Sequence, residues 1–436
     1  MIRFLRFFFK ADYVFCTLTV FAFMLGISRL VDRFSFLNPI DQALTDFEMS
    51  DIVFSDTIRD EPTADTNIVL VNFGNLSRKG IAREIEVIAA RQPKVLGIDC
   101  SFRVLKNPEE DSLLEEALSK VENLVLYSKL SFLDDLDENF DTIMYCHPRF
   151  RQYGSSGFCN LITPTKSKDE YKICRTFTPR DSVRGHEEFA FGVEIARLVD
   201  TGKVSSFLSR NNPVEIINFR GNRNMFYSLD VGDVLGPNDG SPAENQHELP
   251  INLKDKIVVM GYMGPDFGLA ADLTRDDKFH TPMNPNYAGK AYPDMFGVVI
   301  HANIISMILN GKPMNKMSDT GSVLLAWILC YLNVVFFFYI HDRHPSWYDL
   351  VVKTMQALQV ILLLFATVLV YGNYQYQLNV TLAAIAIGLC GDILEVYTGA
   401  IYNIARLLRT RMKGVFSSGS VASAPGSEGK ERRRLL

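Results

Sequence analysis

The sequence predicts an α/β domain with a mostly parallel, layered sheet, together with four transmembrane α-helices, one before the domain and three after it. Two observations support this fold class. Apolar residues are concentrated toward both ends of the 436-residue chain, whereas charged residues fill its middle. Within the middle, short runs of Val, Ile and Leu alternate with helical patterns, which is typical of parallel strands joined by right-handed crossovers.

The first predicted span is residues 13–31, an apolar run that follows a basic N-terminal segment, 1–12. The run is long enough to cross a bilayer if Arg29 and Arg33 reach the headgroups. A cleaved signal peptide is the alternative, but the residues after the run do not form a small-residue cleavage site. We therefore expect an uncleaved anchor.

Three further spans are predicted near the C-terminus, because these apolar runs are longer and more uniform than those of ordinary buried helices. They are residues 320–341, 354–371 and 378–402, separated by a loop at 342–353 and a turn at 372–377. The chain continues as a basic tail, 403–436, part of which is rich in Ser, Gly and Ala and is predicted to be disordered.

Basic residues predict the orientation of the spans. The N-terminal segment holds three of them, the loop 342–353 holds Arg343 and Lys353, and the turn 372–377 holds none. By the positive-inside rule, both termini are cytoplasmic and the domain 32–319 is extracytoplasmic. We therefore expect a multi-pass protein of the cell (inner) membrane whose main domain faces the periplasm.

Five apolar runs in the domain predict buried strands, and they do not alternate with polar residues, as parallel strands covered on both faces should not. Two polar stretches, 131–184 and 236–249, are predicted to be surface insertions, or a small subdomain in the case of the first. Helical spacing predicts helices at 81–88, 113–118, 189–198 and 298–309. The predicted strands are Ile68–Phe73, Lys94–Ile98, Leu124–Ser128, Val214–Phe219 and Lys256–Gly261.

Four cysteines in the domain are candidates for disulfide bonds. An even number of cysteines in an oxidising compartment suggests up to two bonds. Four cysteines allow three pairings, and the sequence does not choose among them; Cys100 follows a strand and is also a candidate for a free, packed thiol. The four are Cys100, Cys146, Cys159 and Cys174.

Several stretches of the domain resemble the CHASE domain of type two, an extracytoplasmic sensory module found in front of cyclases, histidine kinases and other signalling outputs. The layout of one span before the domain and three after it is also similar. The resemblance implies a sensory domain. The stretches that carry it are Thr45–Phe54, Ile68–Asn72 with Arg91–Asp99, and Leu253–Gly261 with His280–Pro282 and Gly297–Asn303.

Two departures from the family pattern affect the expected function. Family members usually carry an acidic residue soon after the first strand, where this chain has Asn72 followed by Phe73, Gly74 and Asn75. No output domain follows the last span in the sequence. We therefore expect any signal to pass to a separate polypeptide; the alternative is that the protein does not signal at all.

The expected ligand site lies beyond the carboxyl ends of the strands, where open α/β sheets usually bind ligands. Asn72, Asp99 and Asp266 are candidates at this edge, with Asp272 and His301 as neighbours. They would suit a small polar ligand or a cation. The alternative is structural, with Asp99 capping a turn and His301 satisfied within a helix.

Two acidic residues in the last span are candidates for an intramembrane contact. Asp392 and Glu395 lie about one turn apart on the same helix face. Ionised carboxylates are costly in hydrocarbon and normally face a partner or water. The alternative is a tilted helix that brings both residues to the inner interface.

No catalytic motif is found: there is no Gly-x-Ser-x-Gly elbow, no phosphate-binding loop and no metal-ligand spacing of Cys and His. We expect a protein that is not an enzyme and carries no cofactor or metal. The formal net charge of −5 argues against nucleic-acid binding.

Two functions remain. The first is a sensory, ligand-binding subunit that signals through its transmembrane helices to a separate membrane or cytoplasmic protein. The alternative is a non-catalytic scaffold subunit of a multi-protein envelope complex. Membrane lipid is an expected partner in both cases, a small-molecule ligand is expected in the first, and a homo-oligomer is compatible with either.

Overall fold

The computed structural model describes residues 10–33, 63–132, 140–161, 173–236, 249–268, 276–284 and 292–419. The chain divides into two compact bodies. The membrane body comprises residues 1–38, 317–366 and 379–436, and the α/β body comprises 39–316 and 367–378. The stretch Thr45–Phe54 and the candidate Asp272 lie outside the described residues.

Fifteen strands and eleven α-helices are found in the described residues and are numbered here in chain order. The strands are β1 Asp65–Asn72, β2 Val95–Ile98, β3 Leu124–Ser131, β4 Thr142–Tyr145, β5 Ser155–Phe158, β6 Thr176–Phe177, β7 Arg180–Val183, β8 His186–Phe189, β9 Glu215–Ile216, β10 Phe226–Leu229, β11 Ile257–Gly261, β12 Lys278–Phe279, β13 Met295–Phe296, β14 Asn315–Lys316 and β15 Tyr376–Gln377. The helices are α1 Ala11–Arg33, α2 Arg78–Ala89, α3 Pro108–Ser119, α4 Pro148–Arg151, α5 Phe191–Val199, α6 Thr201–Leu208, α7 Val231–Leu235, α8 Gly297–Leu309, α9 Asp319–Arg343, α10 Tyr348–Tyr374 and α11 Thr381–Gly419.

The α/β body is built on a sheet with the strand order β10-β1-β11-β2-β3-β4, in which β3 also pairs with β5. Within the described residues, every pairing in this sheet is parallel except that of β3 with β4. The prediction of a parallel-rich sheet is therefore confirmed. Parallel strands end at a common edge, so the loops after β1, β2, β5 and β11 lie along one side of the body.

Both faces of the sheet are covered, which explains why the strands are continuously apolar. Ile68 and Leu70 of β1 pack into an apolar cluster with residues of α5 and α8. Val69 and Val71 pack on the opposite face with residues of α2 and α3. All four side chains are at most 1% exposed, and burial of each stabilises the fold by about 1.5 to 3 kcal/mol.

The prediction that Val214–Phe219 forms a strand of this sheet is wrong. Only Glu215–Ile216 forms a strand, and it pairs antiparallel with β6 in a separate two-stranded sheet. Ile217 and Phe219 are buried in the core through their side chains without joining the main ladder. The place beside β1 is taken by β10, whose sequence Phe226–Leu229 mixes apolar and polar residues as an edge strand does.

The predicted surface insertion at 131–184 is also partly wrong, because its described residues supply β4, α4 and β5. Gly157 in β5 explains part of the misleading composition. A Cβ atom there would stand 2.7 Å from Cα of Phe191, so the small residue is needed where α5 crosses the strand. Gly157 therefore serves the packing of α5 on the sheet.

In the described part of the chain, four helices are long and apolar enough to cross a membrane, one N-terminal and three C-terminal, as predicted. They comprise Ala11–Arg29, Asp319–Arg343, Pro345–Tyr374 (which includes a short 3-10 turn) and Thr381–Ala400. Hydrogen bonds cross between α10 and α11: the Tyr348 hydroxyl donates to the Gly391 carbonyl at 3.0 Å, and Gln356 Nε2 donates to the Ile387 carbonyl at 2.8 Å.

Candidate functional site

Asn72, at the carboxyl end of β1, holds two loops together. Its Nδ2 donates to Asp230 Oδ1 at 2.8 Å and to the Gly264 carbonyl at 3.0 Å. Its Oδ1 accepts from the N–H groups of Gly74 at 3.0 Å and Met263 at 2.8 Å. The amide therefore uses its full hydrogen-bonding capacity on the protein, and its role in the structure is to order the edge.

Asp266 lies in the loop after β11, where its Oδ1 accepts a hydrogen bond from the Gly268 N–H at 2.7 Å. The next residue, Phe267, donates its N–H to Asp230 Oδ2 at 2.8 Å. Asp266 is exposed and shapes its own turn. The hydrogen bonds of Asn72 and Asp266 in the structure therefore serve to hold neighbouring loops.

Asp99 and His301, which the sequence placed as neighbours, do stand side by side. Asp99 Oδ2 is 3.9 Å from His301 Nε2. Cys159 joins them: one ligand-type atom from each of the three residues lies within 4.8 Å of the other two. We call Asp99, Cys159 and His301 the edge cluster. The sequence predicts Cys159 only as a disulfide candidate, and its place in this cluster follows from the fold.

Three elements position the edge cluster. Asp99 directly follows β2 and its N–H donates to the Met260 carbonyl at 2.8 Å, while Cys159 directly follows β5 and its N–H donates to the Ser128 carbonyl at 2.9 Å. His301 lies on the second turn of α8. That helix lies close to the sheet because Gly261 has no side chain, and a Cβ there would stand 2.7 Å from Cβ of Val298.

His301 is enclosed by protein. Its side chain is 2% exposed, and its ring packs edge-on against Phe191 with centroids 5.1 Å apart. Among the described residues, neither Nδ1 nor Nε2 has a hydrogen-bond partner. Buried polar groups are normally hydrogen-bonded, and an orphan costs about 1 to 3 kcal/mol. The described structure therefore leaves both ring nitrogens of this buried imidazole unsatisfied.

The electrostatics of the edge cluster disfavour additional negative charge. Burial, and then the charge of Asp99 and a hydrogen bond to it, raise the pKa of Cys159 well above its ordinary value. Asp277 lies nearby, with its carboxyl against the first residue of α8, Gly297. Although Asp277 is exposed as a residue, burial of its carboxyl and the charge of Asp99 raise its pKa to about 7. Burial lowers the pKa of His301, against the influence of Asp99.

The same residue types could in principle form a nucleophilic triad or a metal site. A catalytic cysteine needs a lowered pKa and access to substrate, whereas the pKa of Cys159 is raised. The 3.9 Å between His301 and Asp99 is also too long for the hydrogen bond that orients a triad histidine. A carboxylate, a thiol and an imidazole are, however, the ligands of transition-metal sites.

The four cysteines of the α/β body are free thiols in the described structure, which gives no support to the suggested disulfides. Cys146 Sγ donates to the Tyr127 carbonyl at 3.4 Å and lies 3.8 Å from the Cys100 carbonyl oxygen. Cys174 Sγ donates to the Leu161 carbonyl at 3.6 Å. The pairing stays a prediction that oxidation state can test.

The acidic residues of the last span have different surroundings. Asp392 forms an ion pair with Lys353 of α10, and each side chain is more than half exposed on the membrane body. Glu395 is exposed one turn further along α11. The structure therefore supplies an in-chain partner for Asp392. A contact of either acid with another subunit stays a prediction.

The arrangement defines an α/β domain joined to apolar helices, with a cluster of three titratable side chains at the carboxyl edge of its sheet. The family model of the CHASE2 domain matches residues 34–337, more than half of the chain. The protein belongs to the CHASE2 family of extracellular sensory domains and, with its four apolar helices, is a multi-pass membrane protein. No curated protein and no solved structure shows significant similarity to it.

Proposed function

We propose that this protein is a membrane-anchored sensory subunit. Its CHASE2 domain lies outside the cytoplasm, in the periplasm, and binds a ligand at the carboxyl edge of its sheet. The transmembrane helices pass the resulting change to a separate partner protein. The distribution of basic residues supports this orientation, because they are concentrated in the terminal segments and in the loop 342–353.

The observation that carries the proposal is the path of the chain from the edge cluster toward the membrane helices. The helix that bears His301, α8, leads through residues 310–318 into α9. Within the α/β body, Arg210 donates to the Met314 carbonyl at 2.6 Å and to Asn315 Oδ1 at 2.8 Å. Because the connection is held by hydrogen bonds, a displacement of α8 would be passed along it rather than absorbed.

The strand pair β14–β15 extends this connection. Asn315 and Lys316 pair in parallel with Tyr376 and Gln377, which lie in the turn between α10 and α11. One segment of the domain is thus linked to the ends of all three C-terminal membrane helices. Such a link suits a sensory domain that must act on several helices at once.

The orientation can be tested with reporter fusions. Alkaline phosphatase, which is active only outside the cytoplasm, and green fluorescent protein, which is fluorescent only inside it when exported by the general secretory route, would each be fused after Lys316 and after residue 413. We expect phosphatase activity at the first position and fluorescence at the second. The opposite pattern would remove the basis of the sensory proposal.

The partner can be tested by capturing the full-length protein in mild detergent and identifying the chains that co-purify. A kinase, cyclase or protease-like effector would support a signalling function. Envelope proteins alone would favour the scaffold function. A parallel capture of Asn315→Pro, in which the connection is altered, tests whether association depends on the segment that links domain and membrane helices.

A further inference from the structure

The edge cluster has the geometry of an incompletely closed transition-metal site. In a tetrahedral zinc site, the ligand atoms stand about 2.0 to 2.3 Å from the ion and therefore about 3.3 to 3.6 Å from one another. The atoms of Asp99, Cys159 and His301 lie within 4.8 Å of one another, and the carboxylate and imidazole atoms are 3.9 Å apart. Side-chain shifts of about an ångström would bring all three to bonding distance.

The unpartnered imidazole is the second, independent observation. His301 is almost fully buried and points Nε2 toward Asp99, and in the described structure neither of its ring nitrogens is hydrogen-bonded. A nitrogen lone pair of neutral imidazole is the donor that metal ions use. Ligation would satisfy one nitrogen that is otherwise orphaned.

The surrounding charges also favour a cation. Asp99 and the thiolate of Cys159 together would supply two negative charges to balance a divalent ion. Asp277 adds a second carboxyl close by, beside Gly297 at the start of α8, and the negative charges of Asp277 and Asp99 repel each other. A bound cation would relieve this repulsion. The sulfur ligand selects against Mg²⁺ and Ca²⁺, which prefer oxygen.

We propose that the edge cluster binds a divalent transition-metal ion of the zinc class, held by Asp99 Oδ, Cys159 Sγ and His301 Nε2. Three protein ligands leave a fourth position for water or a small ligand. On binding, the Cys159 thiol releases its proton to solvent and the thiolate bonds to the ion. The ion would join β2, β5 and α8, and so fix the helix that leads to the membrane.

The proposal that the edge cluster binds a metal depends only on these three residues. That the metal acts as a signal rests on the proposed sensory function. The direct test uses Co²⁺ as a spectroscopic substitute for Zn²⁺. Full-length protein, purified in mild detergent with a tag that lacks histidine, is stripped with a chelator and titrated with Co²⁺. We expect one ion per chain and a near-ultraviolet sulfur-to-cobalt charge-transfer band.

Three variants locate the ion. Cys159→Ser should abolish the charge-transfer band, and His301→Gln should weaken Co²⁺ binding by at least about tenfold. Cys174→Ser is the matched control, because Cys174 is a buried thiol of the same body outside the cluster, and it should leave the titration unchanged. A band that persists in Cys159→Ser would overturn the assignment.

A measurement on the unaltered protein covers the case in which variants fold poorly. Iodoacetamide labelling of each cysteine, followed by peptide mass spectrometry, is compared with and without Zn²⁺. We expect Zn²⁺ to slow labelling of Cys159 at least about tenfold and to leave Cys174 unchanged. Equal labelling of Cys159 with and without Zn²⁺, together with the absence of a Co²⁺ charge-transfer band, would rule out the proposed metal site. It would leave the orientation and partner tests of the sensory proposal untouched.

Discussion

The N–H of Asn315 donates a hydrogen bond to the carbonyl of Gln375 at 2.9 Å. This bond joins the segment after α8 to the turn between α10 and α11, two parts of the chain that are far apart in sequence. Both residues belong to the α/β body. The domain therefore contains, in its own fold, the turn that connects two membrane helices.

Replacing Asn315 by Pro removes this donor and should loosen the turn. We expect amide hydrogen exchange in residues 374–378 to become about tenfold faster in Asn315→Pro, because the pairing of β14 with β15 protects them. Asn315→Ala is the control, since it keeps the N–H and loses only the side-chain contact with Arg210. Equal exchange in both variants would show that the strand pair does not hold the turn.

The buried ion pair of Arg78 with Asp111 should be important for the stability of the α/β body. Both side chains are at most 6% exposed, and Asp111 Oδ2 also accepts the Lys106 N–H at 2.9 Å. Burial alone would raise the pKa of Asp111, but the hydrogen bonds from Arg78 and Lys106 hold it below its ordinary value. The carboxylate is therefore charged and depends on its partner.

Arg78→Met leaves this charge buried without its partner, and we expect it to destabilise the body by about 3 to 5 kcal/mol. Protection of the β3 amides from hydrogen exchange measures the loss. Lys120→Met is the control, because Lys120 bridges Glu86 and Glu116 on the exposed surface, where ion pairs contribute little. Similar losses in the two variants would contradict the importance of burial.

Glu84 should make the stability of the α/β body depend on pH. It is fully buried, and neither carboxyl oxygen has a hydrogen-bond partner among the described residues. Burial, and then the charge of Asp230, raise its pKa from 4.5 to about 9. The folded protein therefore keeps a proton that the unfolded chain releases. The resulting stability is complete below about pH 4.5 and is lost as pH rises toward 9.

Between pH 5 and 8 we expect the free energy of unfolding to fall by roughly 4 kcal/mol through this residue. Glu84→Gln, which is neutral at every pH, should flatten this dependence and raise stability at pH 8. Hydrogen exchange of α2, corrected for intrinsic rates, reports the change. A pH profile of Glu84→Gln that is parallel to that of the unaltered protein would mean that another group titrates.

The sequence was sufficient for the centre of the sheet and insufficient for its edges. β1, β2, β3 and β11 are predictable because strands buried on both faces must be continuously apolar. β5 is not predictable because Ser155, Ser156 and Gly157 suit a loop by composition, whereas Gly157 in fact permits the close crossing of α5. β10 was missed because an edge strand needs only one apolar face.

The same limit applies to the site. Asp99 and His301 could be placed together because one follows a parallel strand and the other lies on a helix beside the same edge. Cys159 also follows a parallel strand directly, but the loop-like composition of β5 conceals this strand in the sequence. Metal-ligand spacing could not reveal the cluster, because its residues come from three distant elements and meet only through the order of strands.

The thiols of the α/β body should be slow to react in the folded protein. Burial, first among the causes, raises the pKa of Cys100 and of Cys174 to about 12, and it also raises that of Cys146. Few thiolates are then present at neutral pH. We expect alkylation of these three residues at pH 7.5 to be at least about a hundredfold slower than in denaturant.

The same experiment, analysed by peptide mass spectrometry without reductant, also tests whether disulfide bonds are present. Free thiols label fully after denaturation, whereas bonded cysteines label only after reduction. Cys146 Sγ lies 3.8 Å from the Cys100 carbonyl oxygen, so a Cys100–Cys146 peptide pair is the linkage to search for first. Full labelling of all four residues before reduction would exclude both bonds.

The ion pair between Lys353 and Asp392 gives the last prediction. Lys353 lies about one and a half turns from the start of α10, so the pair is expected near the inner membrane interface. A carboxylate without its partner is costly at a lipid-facing surface. We therefore expect Lys353→Met and Asp392→Asn each to lower the thermal stability of the membrane body, and the double variant to recover part of the loss.

Tryptophan fluorescence in detergent measures this effect selectively, because both tryptophans of the chain, Trp327 and Trp347, lie in the membrane body. Glu395→Gln, one turn away, should be additive with Lys353→Met and so serves as the control for coupling. Because Asp392 already has a partner within its own chain, Asn at this position should leave capture of partner proteins unchanged. Loss of a captured protein in Asp392→Asn, with thermal stability unaltered, would instead assign this carboxylate to a contact between subunits.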